Sequence, residues 1–226
     1  MLTRLADDIW YARHEFTSLG IALSSHMTVV RLQSGELWIH SPIPPTVELI
    51  WQIQTLGEVS AIIAPNCYHH LFVADFRSHF PKAKLYLAPG LAQKRPDLGL
   101  AQVLDGQAQV WPEDFAYWVM PGLPKLGETV WWHKASQTLI VTDLLQHWQG
   151  QLEWQTELFC RAMGVYQRLA VPRSIRLILK DKAAAFACVQ QILSHPCQHL
   201  IVSHNVVLTH PEPKQLQQAF AFLRQN

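Results

Sequence analysis

Three apolar, strand-like segments of the chain each end close to a possible metal ligand, and this constrains the fold more than any other feature. Open α/β sheets gather their chemistry outside the carboxyl ends of the strands. Imidazole and carboxylate groups are the usual protein ligands of zinc, iron and manganese. The recurrence therefore predicts one shared site. The segments and the residues after them are 59–64 with His69 and His70, 139–142 with Asp143, and 200–203 with His204.

The composition argues against several classes of protein. Lys and Arg number 18 against 17 Asp and Glu, and a net charge of +1 gives no electrostatic footprint for nucleic acid or an anionic membrane. The first residues lack the apolar core of a signal peptide, and no run approaches the roughly 18 apolar residues of a spanning helix. The four cysteines form no CxxC pair. We therefore expect a cytoplasmic protein with a small-molecule substrate or ligand; aromatic-rich surface segments permit a homodimer.

The order of the predicted elements indicates an α/β protein, and we interpret residues 1–226 as a single domain. The chain opens with a β-meander and then alternates between strands and helices. Thr46 and Asp181 are suited to cap helices. We predict strands at 9–14, 27–32, 37–40, 59–64, 83–88, 115–120, 128–133, 138–142, 174–179 and 198–203. We predict helices at 47–56, 71–79, 181–193 and 212–223, a mostly helical segment at 144–170, and an irregular connection at 89–114.

These segments resemble the metallo-β-lactamase superfamily over nearly the whole chain. Residues 62–71 are similar to the superfamily's strand followed by its HxHxDH motif, and residues 142–144 (TDL) resemble its Gly-Asp ligand loop. Residues 121–124 (PGLP) resemble its Pro-Gly-His turn, and His204 matches its final ligand histidine. The resemblance implies an αββα sandwich of two mixed β-sheets flanked by helices, with a metal site at one edge.

The motif departs from the superfamily pattern at several ligand positions. In one register, Asn66 replaces the first motif histidine and Tyr68 the second. His70 then replaces the aspartate and Leu71 the last histidine, whereas a shift by one residue brings His70 onto the last histidine. Leu123 stands where a metal-binding histidine is expected, and leucine offers no lone pair. The chain is therefore identified as a member of a divergent branch with a degenerate active site.

Two functional hypotheses follow from the resemblance. The first is a metal-dependent hydrolase-like protein with one divalent ion, which we expect to be zinc, with iron or manganese as alternatives. The second is a catalytically inactive scaffold without a metal, which binds a ligand or a protein in the cleft that corresponds to the superfamily's active site. Under the first hypothesis, the candidate ligands are His69, His70, Asp143 and His204, with His40 nearby, and Tyr68 or His69 assists proton transfer.

The same residues also have simpler interpretations. Adjacent residues at a helix start point in different directions, so we expect only one of His69 and His70 to face the crevice. Asp143 is also suited to cap a following helix. Cys67 raises a further enzyme class, in which His69 or His70 activates a thiolate nucleophile. The GxSxG, GxxxxGK[ST] and GxGxxG motifs are absent from the sequence.

Overall fold

A computed structural model describes residues 1–18, 20–107 and 109–224. The first of its two sheets has seven strands, which follow one another in chain order. Along this sheet, the first three pairings between neighbouring strands are antiparallel and the last three are parallel, so the sheet is mixed. The strands are β1 (Leu2–Ala6), β2 (Ile9–Ser18), β3 (Ile21–Arg31), β4 (Leu37–His40), β5 (Val59–Ala64), β6 (Lys84–Leu87) and β7 (Gln102–Val103).

The second sheet has five strands and is also mixed. Its strands are β8 (Phe115–Val119), β9 (Thr129–His133), β10 (Thr138–Ile140), β11 (His199–Ile201) and β12 (Val207–Thr209). The spatial order is β12-β11-β10-β9-β8. Only the pairing of β10 with β11 is parallel among these described strands.

Helices cover the outer face of each sheet. The helices are α1 (Val47–Leu56), α2 (Val73–Ser78), α3 (Leu91–Lys94), α4 (Trp154–Met163), α5 (Arg173–Ile178), α6 (Lys182–Leu193) and α7 (Pro213–Ala219). Apolar side chains of α1 to α3 pack with the first sheet, and those of α5 to α7 pack with the second. Between the sheets, Trp38, Phe115 and Trp131 belong to a buried cluster with residues of both. The architecture is the predicted αββα sandwich.

The predicted helix caps are confirmed. Thr46 Oγ1 accepts the backbone N–H of Leu49 at 3.2 Å at the start of α1. Asp181 Oδ1 accepts the backbone N–H of Ala184 at 2.9 Å at the start of α6. Each side chain satisfies a backbone donor that the first turn of a helix leaves unpaired, which fixes where the helix begins.

Two predicted elements in the second half of the chain are wrong. Residues 174–178 lie in helix α5, which begins directly after Pro172, and Leu179 is extended. Ile175 and Leu177 would share one face of a strand, but Ile175 is buried whereas Leu177 is 85% exposed. Within residues 144–170, which were predicted to be mostly helical, the only α-helix among the described residues is α4. Gly164 ends that helix in a left-handed conformation.

The segment before α4 forms isolated bridges instead of a helix. Gln146 pairs with Ala170, and Trp148 pairs with Tyr166. The short strands β1, β7 and β12 and the short helix α3 were not predicted, and both α3 and β7 lie within the connection that was expected to be irregular. No helix in the described part of the chain is both long enough and apolar enough to span a membrane.

Candidate metal centre

His69, Asp143 and His204 come together beyond the ends of three strands. His69 follows β5, Asp143 follows β10, and His204 follows β11. One ligand atom from each of the three side chains lies within 4.8 Å of those from the other two. The strands belong to different sheets, so the cluster lies where both sheets end.

The Asp143 carboxylate lies between the two imidazoles. His204 Nε2 is 3.1 Å from Asp143 Oδ1, and His69 Nε2 is 3.5 Å from Asp143 Oδ2. The two rings are 5.3 Å apart between centroids. The three side chains are only 9–13% exposed. Two imidazole nitrogens and a carboxylate therefore face one another in a region with little access to water.

The outer nitrogen of each imidazole has its own partner. His204 Nδ1 lies 2.6 Å from the carbonyl oxygen of Ser24, and His69 Nδ1 lies 2.9 Å from Ser41 Oγ. A carbonyl oxygen only accepts, so His204 Nδ1 carries a proton. A neutral His204 consequently directs the lone pair of Nε2 towards Asp143, which is the usual orientation of a metal-binding histidine.

The electrostatics of the cluster favour a positive charge beside Asp143. Burial opposes ionisation of this carboxyl, but His69 and then His204 hold its pKa well below the ordinary value. Burial also opposes a charged His204, but the hydrogen bond to Asp143 and its negative charge raise the pKa of the imidazole. Either a proton or a metal cation at His204 Nε2 would place a positive charge beside the ionised Asp143.

Glu128 holds the loop that carries Asp143. Its Oε1 accepts the backbone N–H of Thr142 at 2.8 Å, and its Oε2 accepts those of Asp143 at 2.9 Å and Leu144 at 3.0 Å. The residue is fully buried. Burial, followed by the charge of Asp143, raises the pKa of Glu128 to about 7. The position of Asp143 thus depends on a carboxyl group that lies outside the cluster.

Asn66 connects the loops of His69 and Asp143. Its Oδ1 accepts the backbone N–H groups of Tyr68 at 2.8 Å and His69 at 2.7 Å. Its Nδ2 lies 2.8 Å from Asp143 Oδ2 and 3.2 Å from Glu128 Oε2. The amide that replaces a motif histidine in one register therefore serves as a structural link between two loops.

His70 and Tyr68 line the same cleft as the cluster but contact other residues. Arg95 Nη1 lies 2.8 Å from His70 Nδ1, and because a guanidinium only donates, this nitrogen accepts. Burial, assisted by Lys94 and Arg95, lowers the pKa of His70. Tyr68 is half exposed, and its ring lies below the Lys94 ammonium at 5.0 Å. Of the two adjacent histidines, His69 is thus the one that faces Asp143.

His40 is buried close to His69 but is not one of the three clustered ligands. It is 1% exposed, and its ring stacks on Trp38 at 5.2 Å. Burial, followed by the charge of His69, lowers its pKa to about 3. Its Nε2 has no hydrogen-bond partner among the residues that the structure describes. Such a nitrogen is an unusual feature of a protein interior, where polar groups are normally paired.

The surroundings of Leu123, Cys67 and Asp143 decide between the other interpretations of these residues. Leu123 is 2% exposed and packs in the apolar core below the second sheet. Burial raises the pKa of Cys67, and its Sγ faces the carbonyl oxygen of Pro89 at 3.5 Å, so the thiolate form is disfavoured. Asp143 caps no helix, because the residues after it form bends and bridges. The capping interpretation is therefore wrong.

The residues that hold the cluster were not predicted from the sequence. Glu128 stands directly before an apolar strand, and a charged side chain at such a position needs buried partners. This signal was available in the sequence. Asn66 was considered only as a replaced ligand. Ser41 adopts a positive φ of 54°, which is uncommon outside glycine, and nothing in the sequence indicates its contact with His69.

Residues 6–152 match a family model described as "Domain of unknown function (DUF4336)". The chain belongs to the DUF4336 family. The match covers more than half of the chain; it includes His69 and Asp143 and ends before His204. A comparison with curated proteins gives no match.

Solved structures show which fold this DUF4336 chain adopts. It is similar to a metallo-β-lactamase from Pontibacter korlensis, with 13% identity, a TM-score of 0.67, and coverage of 100% of this chain and 99% of that one. A metallo-β-lactamase from Hirschia baltica gives 9% identity, a TM-score of 0.65, and coverage of 100% and 98%. A putative diflavin flavoprotein A 5 fragment from Nostoc sp. PCC 7120 gives 11%, 0.67, and coverage of 99% and 96%. The metallo-β-lactamase-like fold is confirmed; such low identities show the fold alone.

The donor set of the DUF4336 chain fits one divalent cation. Two imidazoles and a carboxylate are common ligands of zinc, and the same set occurs with iron and manganese. Both Nδ1 atoms are engaged by neighbouring groups, which leaves both Nε2 atoms directed at Asp143. His40, whose Nε2 is unpaired among the described residues, interacts electrostatically with His69.

The cluster lines a cleft of about 720 Å³. This volume lies within the range of roughly 300–1,000 Å³ that is usual for small-molecule sites. The walls of the cleft are mostly apolar. Their apolar residues are Phe16, Leu23, Pro42, Leu71, Phe72, Ile175 and Ile178.

Proposed function

We propose that this DUF4336 protein is a metal-dependent hydrolase whose single divalent cation is held by His69, Asp143 and His204. The observation that carries the proposal is that three ligand atoms within 4.8 Å of one another line an apolar cleft. Zinc is the cation that we expect first, and iron and manganese suit the same ligands.

The cation would supply Lewis-acid activation of a water molecule or of a carbonyl or phosphoryl oxygen. The chain's own residues prepare the site for it. The lowered pKa of Asp143 keeps this ligand ionised at neutral pH. Ser24 and Ser41 orient the two imidazoles, and the low exposure of the cluster limits competing water. Tyr68 lines the cleft and is our candidate for proton transfer to a leaving group.

We propose one cation because further ligands are missing or engaged elsewhere. Leu123 occupies the position of an expected histidine, and its side chain lies in the core. Asn66 uses both ends of its amide for contacts within the protein. His70 accepts from Arg95. His40 interacts electrostatically with His69, and we assign it a supporting role beside the ligands.

One observation favours an inactive, ligand-binding scaffold as the second candidate. The raised pKa of His204 allows a protonated imidazole, which would donate from Nδ1 to Ser24 and from Nε2 to Asp143. The cluster would then be complete without a cation. The two functions differ in metal content and in the response of activity to chelation.

The test is metal content per chain after zinc loading and removal of free metal, measured with activity against a panel of esters and phosphoesters. We expect about one zinc per wild-type chain and loss of zinc from Asp143→Asn and His204→Ala. His79→Ala is the matched control, because His79 is exposed and lies outside the cleft. Wild-type protein that retains no zinc, iron or manganese would contradict the proposal. Activity that survives chelation would also contradict it.

A further inference from the structure

Lys94 is an isolated cation at the cleft. Among the described residues that line the cleft, only Lys94 carries a permanent positive charge, and Asp143 is the only carboxylate. None of the ion pairs between described residues includes Lys94. The neighbouring Arg95 differs, because Asp97 binds its guanidinium at 2.6 Å. The wall near Lys94 therefore has a positive charge without a carboxylate partner.

The Lys94 ammonium is also held in position. Its Nζ donates to the carbonyl oxygen of Cys67 at 2.6 Å and lies 5.0 Å from the centroid of the Tyr68 ring. An ammonium has three N–H donors, so the bond to Cys67 leaves two for a ligand. A cation that is already positioned loses less freedom on binding than a mobile surface lysine.

The remaining cleft wall suits an apolar group. Leu71 is 67% exposed, and Phe72 and Ile178 line the same cleft. Exposed apolar side chains that surround a concave surface are typical of a ligand site. A ligand that fits both features has an apolar chain and a negatively charged end.

We propose that the cleft binds a small anionic amphiphile, with the apolar chain against Leu71 and Phe72 and the anionic group at Lys94. The substrate of the proposed hydrolase belongs to this class, and in that respect the inference rests on the proposed function. Binding itself requires no metal, because Lys94 and the apolar wall are not among the three proposed ligands.

The test compares three ten-carbon probes by calorimetry on protein freed of metal and then of chelator: decanoate, decyl phosphate and neutral 1-decanol. We expect both anions to bind the wild type about fivefold more tightly than decanol, which is the upper range for a partly exposed ion pair. Lys94→Gln should remove this preference, and Lys94→Arg should keep it. Leu71→Ser should weaken all three probes to a similar degree. Lys125→Gln is the control, because Lys125 is exposed and lies outside the cleft.

Equal binding of the anions and decanol by the wild type would overturn the inference. A preference that persists in Lys94→Gln, or no binding of any probe, would overturn it as well. A difference between decanoate and decyl phosphate identifies the preferred head group within the class. Because these measurements use metal-free protein, a failure of the hydrolase proposal leaves their outcome unaffected, and the reverse also holds.

Discussion

The Glu128 carboxylate accepts the backbone N–H of Asp143 at 2.9 Å, so a buried side chain orients the loop of a proposed metal ligand. The same carboxylate accepts the N–H groups of Thr142 and Leu144. Three consecutive backbone donors thus converge on one group. A site that needs a carboxylate in a fixed position requires such a support.

Replacement of Glu128 by Gln should weaken both this loop and metal retention. The amide oxygen of a glutamine can take the place of Oε2, which accepts from Asn66 Nδ2 and from the N–H groups of Asp143 and Leu144. Its NH₂ group then faces the N–H of Thr142, and two donors cannot form a hydrogen bond with each other. We expect a loss of about 1–3 kcal/mol in the free energy of unfolding, measured by denaturant titration of metal-free protein. Zinc affinity should fall by roughly tenfold or more. Glu113→Gln, at an exposed position, is the control. Unchanged stability and affinity would argue against this role of Glu128.

The adjacent histidines should differ in their effect on metal binding. His69 faces Asp143, whereas His70 accepts from Arg95. His69→Gln should therefore abolish stoichiometric zinc binding, while His70→Gln should leave about one zinc per chain. Elemental analysis of both variants measures the difference. Loss of zinc in His70→Gln with retention in His69→Gln would reverse the assignment.

The buried His26 should make the fold sensitive to acid. Burial lowers the pKa of His26 to about 4 from 6.5, and its Nδ1 lies 2.8 Å from the carbonyl oxygen of Val202. Between these two pH values the unfolded chain binds a proton that the folded chain does not. The free energy of unfolding therefore falls as the pH is lowered from 6.5 to 4, by roughly 3 kcal/mol from this residue.

Denaturant titrations at several pH values check this contribution. In His26→Asn, the side-chain amide can still donate to Val202, but it does not titrate. We expect a flatter dependence of unfolding free energy on pH than in the wild type over the same range. A dependence as steep as that of the wild type would show that His26 is not the responsible group.

Gly127, which precedes Glu128, should not tolerate a side chain. Its φ is 62°, and a Cβ atom there would overlap the carbonyl oxygen of Pro89. Gly35 also has a positive φ, but a Cβ atom there meets open space. We expect Gly127→Ala to lower the free energy of unfolding by about 3 kcal/mol and Gly35→Ala by about 1 kcal/mol. Equal losses, measured by thermal or denaturant unfolding, would mean that the loop adjusts to the added atom.

The sequence predicted the fold well where patterns were local. Apolar runs identified β5 and the second half of β3. Thr46 and Asp181 marked helix starts, because capping depends on groups within one turn. Helix α5 was predicted as a strand, and only packing decides that Ile175 is buried and Leu177 exposed. Local patterns do not contain that information.

The candidate site shows the same limit. His69, Asp143 and His204 could be proposed from their positions after strands, and the structure brings them together. The sequence did not indicate that Arg95 would bind His70, or that Ser24 and Ser41 would orient the two imidazoles. Those contacts join residues 25 or more positions apart in the chain, so they depend on the tertiary fold and not on a local pattern.

The most direct test of the account is an anomalous difference map, recorded at the zinc absorption edge from crystals of zinc-loaded protein. The account predicts one peak per chain, bounded by Nε2 of His69, the carboxylate of Asp143 and Nε2 of His204. The absence of a peak there, a peak held by other residues, or a second peak beside the first would contradict a single cation bound by these three side chains.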